Sequence, residues 1–272
     1  MRKLVIAALK GGTAKSTSTV SLAVGLALRG KRTLVVDCDS QGNASWILSG
    51  GKSPDGPTLA EVLSRETSAV EAIRPTIVAG LDLLPSDVTL GAVNVKLADQ
   101  PGRDGRLRSM LAAVEGAYDF ALLDTGPTVT TLWLNAMSYG EEVIAPVDVG
   151  VLSVLGLVEL ESAIVDLRAA YNPPLRLAGL ILTRVQRNNL AKDVERQLRE
   201  RFGPLVFSST VGLSVKFDEA HSRGMTVMQY APTSPGAAAY FEIVEGIING
   251  SGTKAGRGRA GTDRTPRTAG AA

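Results

Sequence analysis

A short apolar segment, a glycine-rich turn and an amphipathic helix follow one another at the start of the sequence. Residues 4–8, Leu-Val-Ile-Ala-Ala, show no polar alternation, which is typical of a strand buried on both faces of a parallel sheet. After the turn, apolar residues recur at three- and four-residue spacing from Val20 to Leu28, as in a helix packed on a sheet. A glycine turn between such a strand and a helix N-terminus presents backbone N–H groups to an anion. The sequence therefore predicts a phosphate site at this turn.

Strands and helices alternate along the rest of the chain. With 272 residues, of which 44% are hydrophobic, the chain can bury a full core. Alternating elements of this kind form parallel strands joined by right-handed crossovers. We predict an α/β fold with a mostly parallel twisted sheet and helices on both faces. The predicted strands are residues 4–8, 33–36, 120–123, 143–145 and 177–182, and the clearest later helices are residues 107–114, 154–170 and 190–201.

Composition separates a basic segment from the rest of the chain. The whole sequence has 29 Lys and Arg against 27 Asp and Glu, a formal net charge of +2. Residues 251–272 contain five of these cations and one acid, so residues 1–250 carry a net negative charge. Because residues 251–272 have no aliphatic side chain larger than Ala, they cannot repay their ordering entropy. We predict one domain over residues 1–250 and a disordered basic tail over 251–272.

The cysteine content and the lengths of the apolar runs indicate the cellular compartment of the protein. Cys38 is the one cysteine, so no intrachain disulfide can form, and a reducing cytoplasm is the simplest expectation. No apolar run approaches the roughly 18 residues that suggest a membrane span. The sequence therefore predicts a cytoplasmic protein.

The glycine turn carries two lysines. Residues 10–17 read Lys-Gly-Gly-Thr-Ala-Lys-Ser-Thr. In the common phosphate loop, G-x-x-x-x-G-K-[ST], the lysine reaches the β/γ-phosphates and the hydroxyl holds Mg²⁺. Lys15 and Ser16 fit that pattern, although its two glycines are absent. Lys10 is an additional lysine at the start of the loop.

This loop resembles the deviant phosphate loop of the ParA/MinD family of ATPases, which carries an extra lysine at its start. Residues 37–45, D-C-D-S-Q-G-N-A-S, resemble the D-x-D-P-Q-x-N-x-S segment of the family's ParA branch, and residues 122–127 resemble its Walker B strand. Residues 144–147 are similar to its I-P-V strand, 215–224 to its V-R-x-x-E-A-P-S-x-G stretch, and 236–240 to its G-A-x-A-Y stretch. Because the motifs occur in the family's order over most of the chain, the sequence is identified as a ParA-branch P-loop NTPase. The early loop indicates the short form, without an N-terminal helix-turn-helix domain.

The resemblance implies a role for each residue of the site. Lys15 would bind the β/γ-phosphates, and Asp39 would orient the attacking water. Lys10 would reach the nucleotide of a second subunit, as an arginine finger does. Ser16 would hold Mg²⁺ directly, and Asp124 would hold it through a water. The residues implied to bind ATP are Lys10, Gly11, Gly12, Thr13, Ala14, Lys15, Ser16 and Thr17.

Several positions depart from the family's pattern. Ala14 stands where the family usually has glycine, and a Cβ there costs about 1 kcal/mol or more if the backbone needs a positive φ. Ser40 and Gly126 each replace a proline, which predicts looser loops beside Asp39. Residues 212–213 replace a Pro-Arg pair near the adenine, so the base contacts stay unassigned.

Isolated residues are interpreted structurally. His221 has no second histidine or cysteine to complete a metal set, so a surface or loop position is expected. Trp46 and Trp133 are expected in core or interface packing. Asp37 is expected to be a structural carboxylate beside Asp39.

A basic stretch supplies candidates for DNA binding. Residues 184–201 are rich in arginine around a predicted helix, and either a solvated helix face or a surface for the phosphate backbone fits that pattern. ParA-like dimers bind DNA without sequence preference through this region. The basic tail could add salt-dependent DNA binding or simply solubilise the chain. The candidate DNA contacts are Lys216, Arg223, Arg187 and Arg196.

The resemblance implies an ATP-dependent DNA partition ATPase with slow hydrolysis. ATP and Mg²⁺ would close a homodimer that binds non-specific DNA on the nucleoid, and a ParB-like centromere-binding adaptor would stimulate hydrolysis. A MinD-like membrane ATPase would need a bulky amphipathic C-terminal helix, which the residues after Ile248 lack, so no membrane partner is expected. Two further alternatives stay open: a synthetase that phosphorylates a small-molecule carboxylate, and a motor that positions another cargo.

Overall fold

A twisted sheet organises the molecule, and the computed structural model describes residues 1–150 and 153–250. The strands are β1 (Arg2–Ile6), β2 (Thr33–Cys38), β3 (Arg74–Pro75), β4 (Leu81–Leu84), β5 (Phe120–Thr125), β6 (Glu142–Asp148) and β7 (Arg176–Thr183). Their order in the sheet is β3-β4-β2-β5-β1-β6-β7. All neighbours pair in parallel except β3 and β4. The mostly parallel sheet of the prediction is confirmed, and the predicted basic tail lies outside the described residues.

Helices cover both faces of this sheet, as predicted. Of the helices within residues 1–150 and 153–250, none is long and apolar enough to cross a bilayer. The α-helices are α1 (Lys15–Leu28), α2 (Asn43–Leu48), α3 (Leu59–Ser64), α4 (Ala69–Ala72), α5 (Thr89–Leu97), α6 (Arg106–Leu111), α7 (Thr131–Tyr139), α8 (Ser153–Ala170), α9 (Asn189–Phe202), α10 (Val215–His221), α11 (Val227–Tyr230) and α12 (Pro235–Asn249). Short 3₁₀ turns occupy Arg103–Gly105, Ala112–Ala117 and Gly203–Leu205.

Two hydrophobic cores, one on each face of the sheet, explain the unbroken apolar strands. Leu4 and Ile6 of β1 belong to the core that contains α1 and α12, whereas Val5 belongs to the core that contains α7 and α8. All three side chains are fully buried. Successive side chains of a strand point to opposite faces, so a strand covered on both sides needs apolar residues at every position.

The helix after the phosphate loop is held between the sheet and α12. Ser18 Oγ lies 2.9 Å from the hydroxyl of Tyr240, and both side chains are buried. Gly25 sits at the closest approach of α1 and α12, where an added Cβ would lie 2.7 Å from Val244 Cγ2. This packing fixes the N-terminus of α1 at the carboxyl edge of the sheet.

Several element boundaries differ from the prediction by one to three residues, and two of the differences have a clear physical reason. The first strand is Arg2–Ile6 rather than residues 4–8, because the chain turns into the phosphate loop once Ala7 N has donated to Ile144 O. The helix predicted over 107–114 ends at Leu111 and continues as a 3₁₀ turn to Ala117. Gly116 has poor helix propensity, which favours this early end.

Candidate functional site

A cavity of about 440 Å³ opens beside the N-terminus of α1, at the carboxyl edge of the sheet. Ligands of open α/β sheets bind at this edge because the loops that follow the strands converge there. We call it the phosphate cavity. Its lining consists of Gly11, Gly12, Thr13, Ala14, Lys15, Ser16, Thr17, Asp39, Gln41, Asn43, Trp46, Ile47, Pro127 and His221.

The loop in front of α1 leaves the positive end of the helix open. In the described chain, α1 has neither a side-chain cap nor an acidic residue in its first turn. Ala14 precedes the helix with φ 64° and ψ 37°, which confirms the positive φ considered for this position. Thr183 Oγ1, at the end of β7, donates to Thr13 O at 3.1 Å and anchors the loop. Free N–H groups and an uncompensated helix dipole favour an anion here.

Lys15 supplies the fixed positive charge of the cavity. Its side chain is largely buried, and its Nζ donates to Lys10 O at 3.2 Å. Burial lowers the pKa of Lys15, while the nearby carboxylates of Asp124 and Asp39 act in the opposite direction. A bound polyphosphate would add negative charge and favour the ammonium form.

Two buried carboxylates stand side by side beneath the loop, since Asp37 of β2 pairs in register with Asp124 of β5. Burial, together with the charge of Asp124, raises the pKa of Asp37 to about 7. Asp37 accepts hydrogen bonds from Ser45 N (2.8 Å), Ser45 Oγ (2.7 Å) and Asp39 N (3.1 Å). These bonds fit the structural role expected for Asp37, because they fix the start of α2 and the segment that carries Asp39.

Asp124 has one satisfied and one free carboxylate oxygen. Its Oδ1 accepts from Thr19 Oγ1 at 2.8 Å, and its Oδ2 is buried without a hydrogen-bond partner among the described residues. Burial raises the pKa of Asp124 to about 6, although the hydroxyl groups of Ser16 and Thr19 act to lower it. A buried unpaired carboxylate oxygen is costly unless a cation or a donor reaches it.

This donor set fits Mg²⁺. The ion prefers oxygen ligands and keeps several waters, so it binds through few protein groups and the phosphates of a substrate. Ser16 lines the phosphate cavity, and the free oxygen of Asp124 can accept a hydrogen bond from a metal-bound water. Ser16 and Asp124 are therefore the residues that would hold the ion.

Asp39 lies in the wall of the phosphate cavity. Its Oδ1 accepts from Gln41 N at 3.1 Å, and its carbonyl accepts from Ser86 Oγ at 2.7 Å. A Cβ added at Gly126 would lie 3.6 Å from Asp39 Cγ, so the segment after β5 passes beside this carboxylate. The side chain of Ser86 thus fastens a segment in which the family's proline is replaced by Ser40.

Lys10 lies apart from the other residues of the loop. Residues 11–17 line the phosphate cavity, whereas Lys10 lines a neighbouring cleft between β6 and α8. There its Nζ lies 3.6 Å from Oδ2 of Asp148, the last residue of β6. The structure brings Lys15, Ser16 and Asp39 together around the cavity, with Asp124 buried beneath it, and directs Lys10 elsewhere.

Trp46 and His221 line the phosphate cavity, which the sequence alone did not indicate. Trp46 is 44% exposed, so core packing is wrong for this residue, whereas Trp133 is buried as expected. His221 ends α10 half-buried rather than lying on the open surface, and burial lowers its pKa although Asp218 acts against this. Asp148 could have been recognised in the sequence as a polar residue at the end of a buried strand. No sequence pattern indicated Trp46 or His221.

A second, smaller cavity of about 70 Å³ adjoins the loop. It shares Ala14 and Thr17 with the phosphate cavity, and the segment 211–214 forms one of its walls. Segment 211–214 is held against the end of β7, since Val185 N donates to Val211 O and Leu213 N donates to Val185 O. The remaining lining residues are Thr183, Arg184, Phe217, Asp218 and Tyr240.

Two of the predicted DNA contacts lie together, Lys216 on α10 and Arg223 just after its end. The guanidinium carbon of Arg223 is 4.8 Å from the ring centroid of Tyr230, and Lys216 Nζ is 5.8 Å from the same centroid. Glu219 accepts hydrogen bonds from Lys216 Nζ at 2.7 Å and from the hydroxyl of Tyr230 at 3.0 Å. The result is an exposed cluster of two cations around one aromatic ring.

The other two predicted DNA contacts differ from each other. Arg196 is exposed on α9 but pairs with Asp193 at 2.9 Å. Arg187 precedes α9, is exposed, and has no ion pair within the part of the chain that the structure describes. Arg187 therefore offers the freer positive charge.

Comparison with known proteins assigns the family. The family described as an AAA domain matches residues 1–177. The chromosome-partitioning ATPase Soj of Thermus thermophilus is 38% identical over 249 residues, which are 91% of this chain and 96% of that protein. The chromosome partitioning protein ParA of Caulobacter vibrioides is 34% identical over 252 residues, 92% of this chain and 94% of that protein. The chain belongs to the ParA/MinD family of P-loop ATPases.

Solved structures agree with this ParA/MinD assignment. Cobyrinic acid a,c-diamide synthase from Mycobacterium smegmatis, with a bound ATP analog and magnesium, superposes with a TM-score of 0.79 and 28% identity. The match covers 92% of this chain and 95% of that one. The cell division ATPase MinD of Pyrococcus furiosus gives a TM-score of 0.75 at 28% identity, over 91% of this chain and 98% of that one. The P-loop NTPase fold predicted from the sequence is confirmed.

Proposed function

We propose that this ParA/MinD-family protein is a DNA partition ATPase whose ATP-bound homodimer binds DNA. One observation carries the proposal: Lys15 occupies the phosphate cavity, while Lys10 lies outside it near the surface. A loop that needed both lysines for one nucleotide would direct both into the cavity. The second lysine is thus available to a nucleotide held by another subunit.

In each subunit, the loop and its two neighbouring strands would perform ATP hydrolysis. Residues 11–17 would bind the phosphates through backbone N–H groups and Lys15. Ser16 would hold Mg²⁺ directly and Asp124 would hold it through a water, and the bound ion would supply positive charge against the phosphates. Asp39 aligns the attacking water, and the partner's Lys10 adds positive charge as the γ-phosphoryl group leaves. Because part of the charge stabilisation arrives only on dimerisation, hydrolysis in a lone subunit is slow.

The smaller cavity is the place for the base of the nucleotide. It adjoins the phosphate loop through Ala14 and Thr17, and it has apolar walls at Leu213 and Phe217 against which a flat ring can pack. Gly212 and Leu213 of this segment stand where the family has its Pro-Arg pair. Backbone groups of this segment would contact the adenine edge.

DNA would bind to the exposed cations of α10, of the residues that directly follow it, and of the segment that precedes α9. Lys216 and Arg223 present two neighbouring positive charges, and Arg187 adds one without an ion pair in the described chain. Contacts of this kind bind the phosphate backbone without reading base sequence. Association with the nucleoid in the cytoplasm would follow from such binding.

The protein would work with an adaptor. The relatives from Thermus thermophilus and Caulobacter vibrioides are named as chromosome-partitioning proteins. By analogy, a ParB-like centromere-binding protein would stimulate hydrolysis where the cargo DNA is located. Hydrolysis then opens the dimer and releases it from DNA.

Two variants test the proposed cycle. Asp39→Ala should bind ATP, form a dimer and stay bound to DNA, because the attacking water is no longer aligned. Lys10→Ala should bind ATP with Mg²⁺ but stay monomeric, because each subunit lacks the lysine that its partner's phosphates require. Size-exclusion chromatography with ATP and Mg²⁺, followed by a DNA mobility shift, measures both, and the unaltered protein with ADP is the control. A Lys10→Ala protein that dimerises and hydrolyses normally would contradict the proposal.

A small-molecule synthetase is the competing function, because one structural neighbour is named as such an enzyme. Such an enzyme would turn over ATP only when a carboxylate acceptor is supplied, and DNA would have no effect on it. The chromosome-partitioning relatives are more similar in sequence, at 34–38% identity against 28%. A DNA-stimulated or DNA-retained ATP complex therefore separates the two functions.

A further inference from the structure

The ion pair between Lys10 and Asp148 places the extra lysine within its own subunit. Lys10 Nζ lies 3.6 Å from Asp148 Oδ2, and the two side chains are 39% and 30% exposed. Apolar side chains of Leu157 and Leu160 line the same cleft. The lysine is thus held against the surface beside β6, away from the phosphate cavity of its own subunit.

The backbone of Lys10 is fastened independently of its side chain. Its carbonyl accepts from Lys15 Nζ at 3.2 Å and from Thr13 Oγ1 at 3.4 Å. The loop can therefore keep its shape while the Lys10 side chain changes rotamer. Moving the ammonium to another anion requires only that it leave the carboxylate of Asp148.

We propose that Asp148 is a positioning residue that retains Lys10 within the free subunit and competes with the partner's ATP for it. This inference rests on the proposed function, since it needs Lys10 to act across a dimer. A carboxylate and a triphosphate are alternative anions for the same ammonium group. Dimerisation must break the ion pair in both subunits.

The strength of a surface ion pair sets the expected effect. An exposed pair of this type shifts an equilibrium about two- to fivefold, and two pairs break per dimer. Removing the carboxylate should therefore tighten ATP-dependent dimerisation by about four- to 25-fold. The pair is partly exposed, so salt screens it and should shrink this difference.

Asp148→Asn tests the inference directly. We expect its dimer dissociation constant, measured by sedimentation equilibrium with a non-hydrolysable ATP analogue and Mg²⁺, to be about four- to 25-fold lower than that of the unaltered protein at low salt. Asp148→Glu, which keeps the charge, should dimerise like the unaltered protein. Asp119→Asn is the matched control, because it removes a surface ion pair with Arg32 at the opposite edge of the sheet and should leave dimerisation unchanged.

The double variant identifies the partner of Asp148. In Lys10→Ala, adding Asp148→Asn should have no further effect, because the two residues act through one contact. An Asp148→Asn protein that dimerises like the unaltered protein, or more weakly, overturns the inference. If Lys10→Ala dimerises normally, the cross-subunit role in the proposed function fails instead. If the unaltered protein does not dimerise with the analogue, both fail.

Discussion

Ala14 adopts a backbone conformation that glycine usually supplies. Its φ of 64° places it in the left-handed region, where a Cβ costs about 1 kcal/mol or more. Its carbonyl accepts from Ser18 N at 2.9 Å, in the first turn of α1. The strain therefore sits in the residue that joins the phosphate loop to its helix.

Ala14→Gly should stabilise the protein. Removing the Cβ relieves strain that exceeds the entropic cost of glycine, so the free energy of unfolding should rise by up to about 1 kcal/mol. Urea denaturation measures the change. Ala92→Gly, at an exposed position inside α5, is the control and should lower the free energy of unfolding by about 0.5–1 kcal/mol. Equal destabilisation by both variants would show that Ala14 is not strained.

Asp37 and Asp124 should make the nucleotide-free protein less stable as pH rises. Burial raises both pKa values, to about 7 and about 6, above the value of roughly 3.9 in the unfolded chain. Between about pH 4 and 7 the folded protein then binds more protons than the unfolded chain, so the free energy of unfolding falls with pH.

Asp124→Asn tests this pH dependence. The free energy of unfolding of the variant should fall less steeply with pH than that of the unaltered protein. Urea denaturation at a series of pH values, without Mg²⁺ or nucleotide, measures this. Asp55→Asn, at an exposed loop residue, is the control, and its free energy of unfolding should fall with pH as steeply as that of the unaltered protein. MgATP should also flatten the profile, because the cation favours the ionised carboxylates. An Asp124→Asn profile as steep as that of the unaltered protein would refute the assignment.

The site residues that the sequence identified are those with a fixed local spacing. Lys15 and Asp39 follow buried strands at a recognisable distance, and Asp124 lies near the end of another, so position along the chain reveals their role. Trp46 and His221 line the same cavity only because α2 and the end of α10 pack around it. Such contacts depend on tertiary packing, which no local pattern encodes.

At the scale of elements, burial decides what the sequence could predict. β2 and β5 are buried at every position, so their apolar runs were recognised. β3 contains only two residues, one of them Pro75, and β4 carries the polar Asp82, so neither forms an unbroken apolar run. β4 pairs with β2, and β3 pairs with β4. These contacts, rather than the sequences of the two strands, place them at the sheet edge.

The crossing of α1 and α12 should tolerate no side chain at Gly25. A Cβ there would lie 2.7 Å from Val244 Cγ2, so Gly25→Ala should lower the free energy of unfolding by about 1–3 kcal/mol through overpacking. Gly156→Ala, within α8 and with open space around the added Cβ, should instead raise it by about 0.5–1 kcal/mol. The unfolding temperatures of the two variants, measured by thermal unfolding, should shift in opposite directions from that of the unaltered protein. Shifts of the same sign would contradict this account of the helix crossing.

At the scale of the whole molecule, the sheet brings charges together from distant parts of the chain. Asp39 follows β2, Asp124 lies in β5 and Asp148 ends β6, all at the carboxyl edge that also carries the phosphate loop. The described domain has a net negative charge, and two of its exposed cations, Lys216 of α10 and Arg223 just after it, lie together against Tyr230. A molecule of this kind binds a polyanion only where its cations are concentrated. Raising the salt concentration weakens that binding.

Lys216 should contribute more to DNA binding than Arg196. Both cations carry an ion pair, Lys216 with Glu219 and Arg196 with Asp193, but Lys216 also shares an exposed cluster with Arg223 against Tyr230. Lys216→Ala should weaken binding to unrelated DNA sequences equally. It should also reduce the slope of log affinity against log salt by about 1 for each phosphate that is no longer neutralised, or about 2 per dimer. Arg196→Ala is the matched control. It should decrease the DNA affinity and the salt slope less than Lys216→Ala does. Fluorescence anisotropy of the ATP-bound Asp39→Ala dimer on two DNA sequences measures both variants, and a larger effect of Arg196→Ala would place the DNA surface on α9 instead.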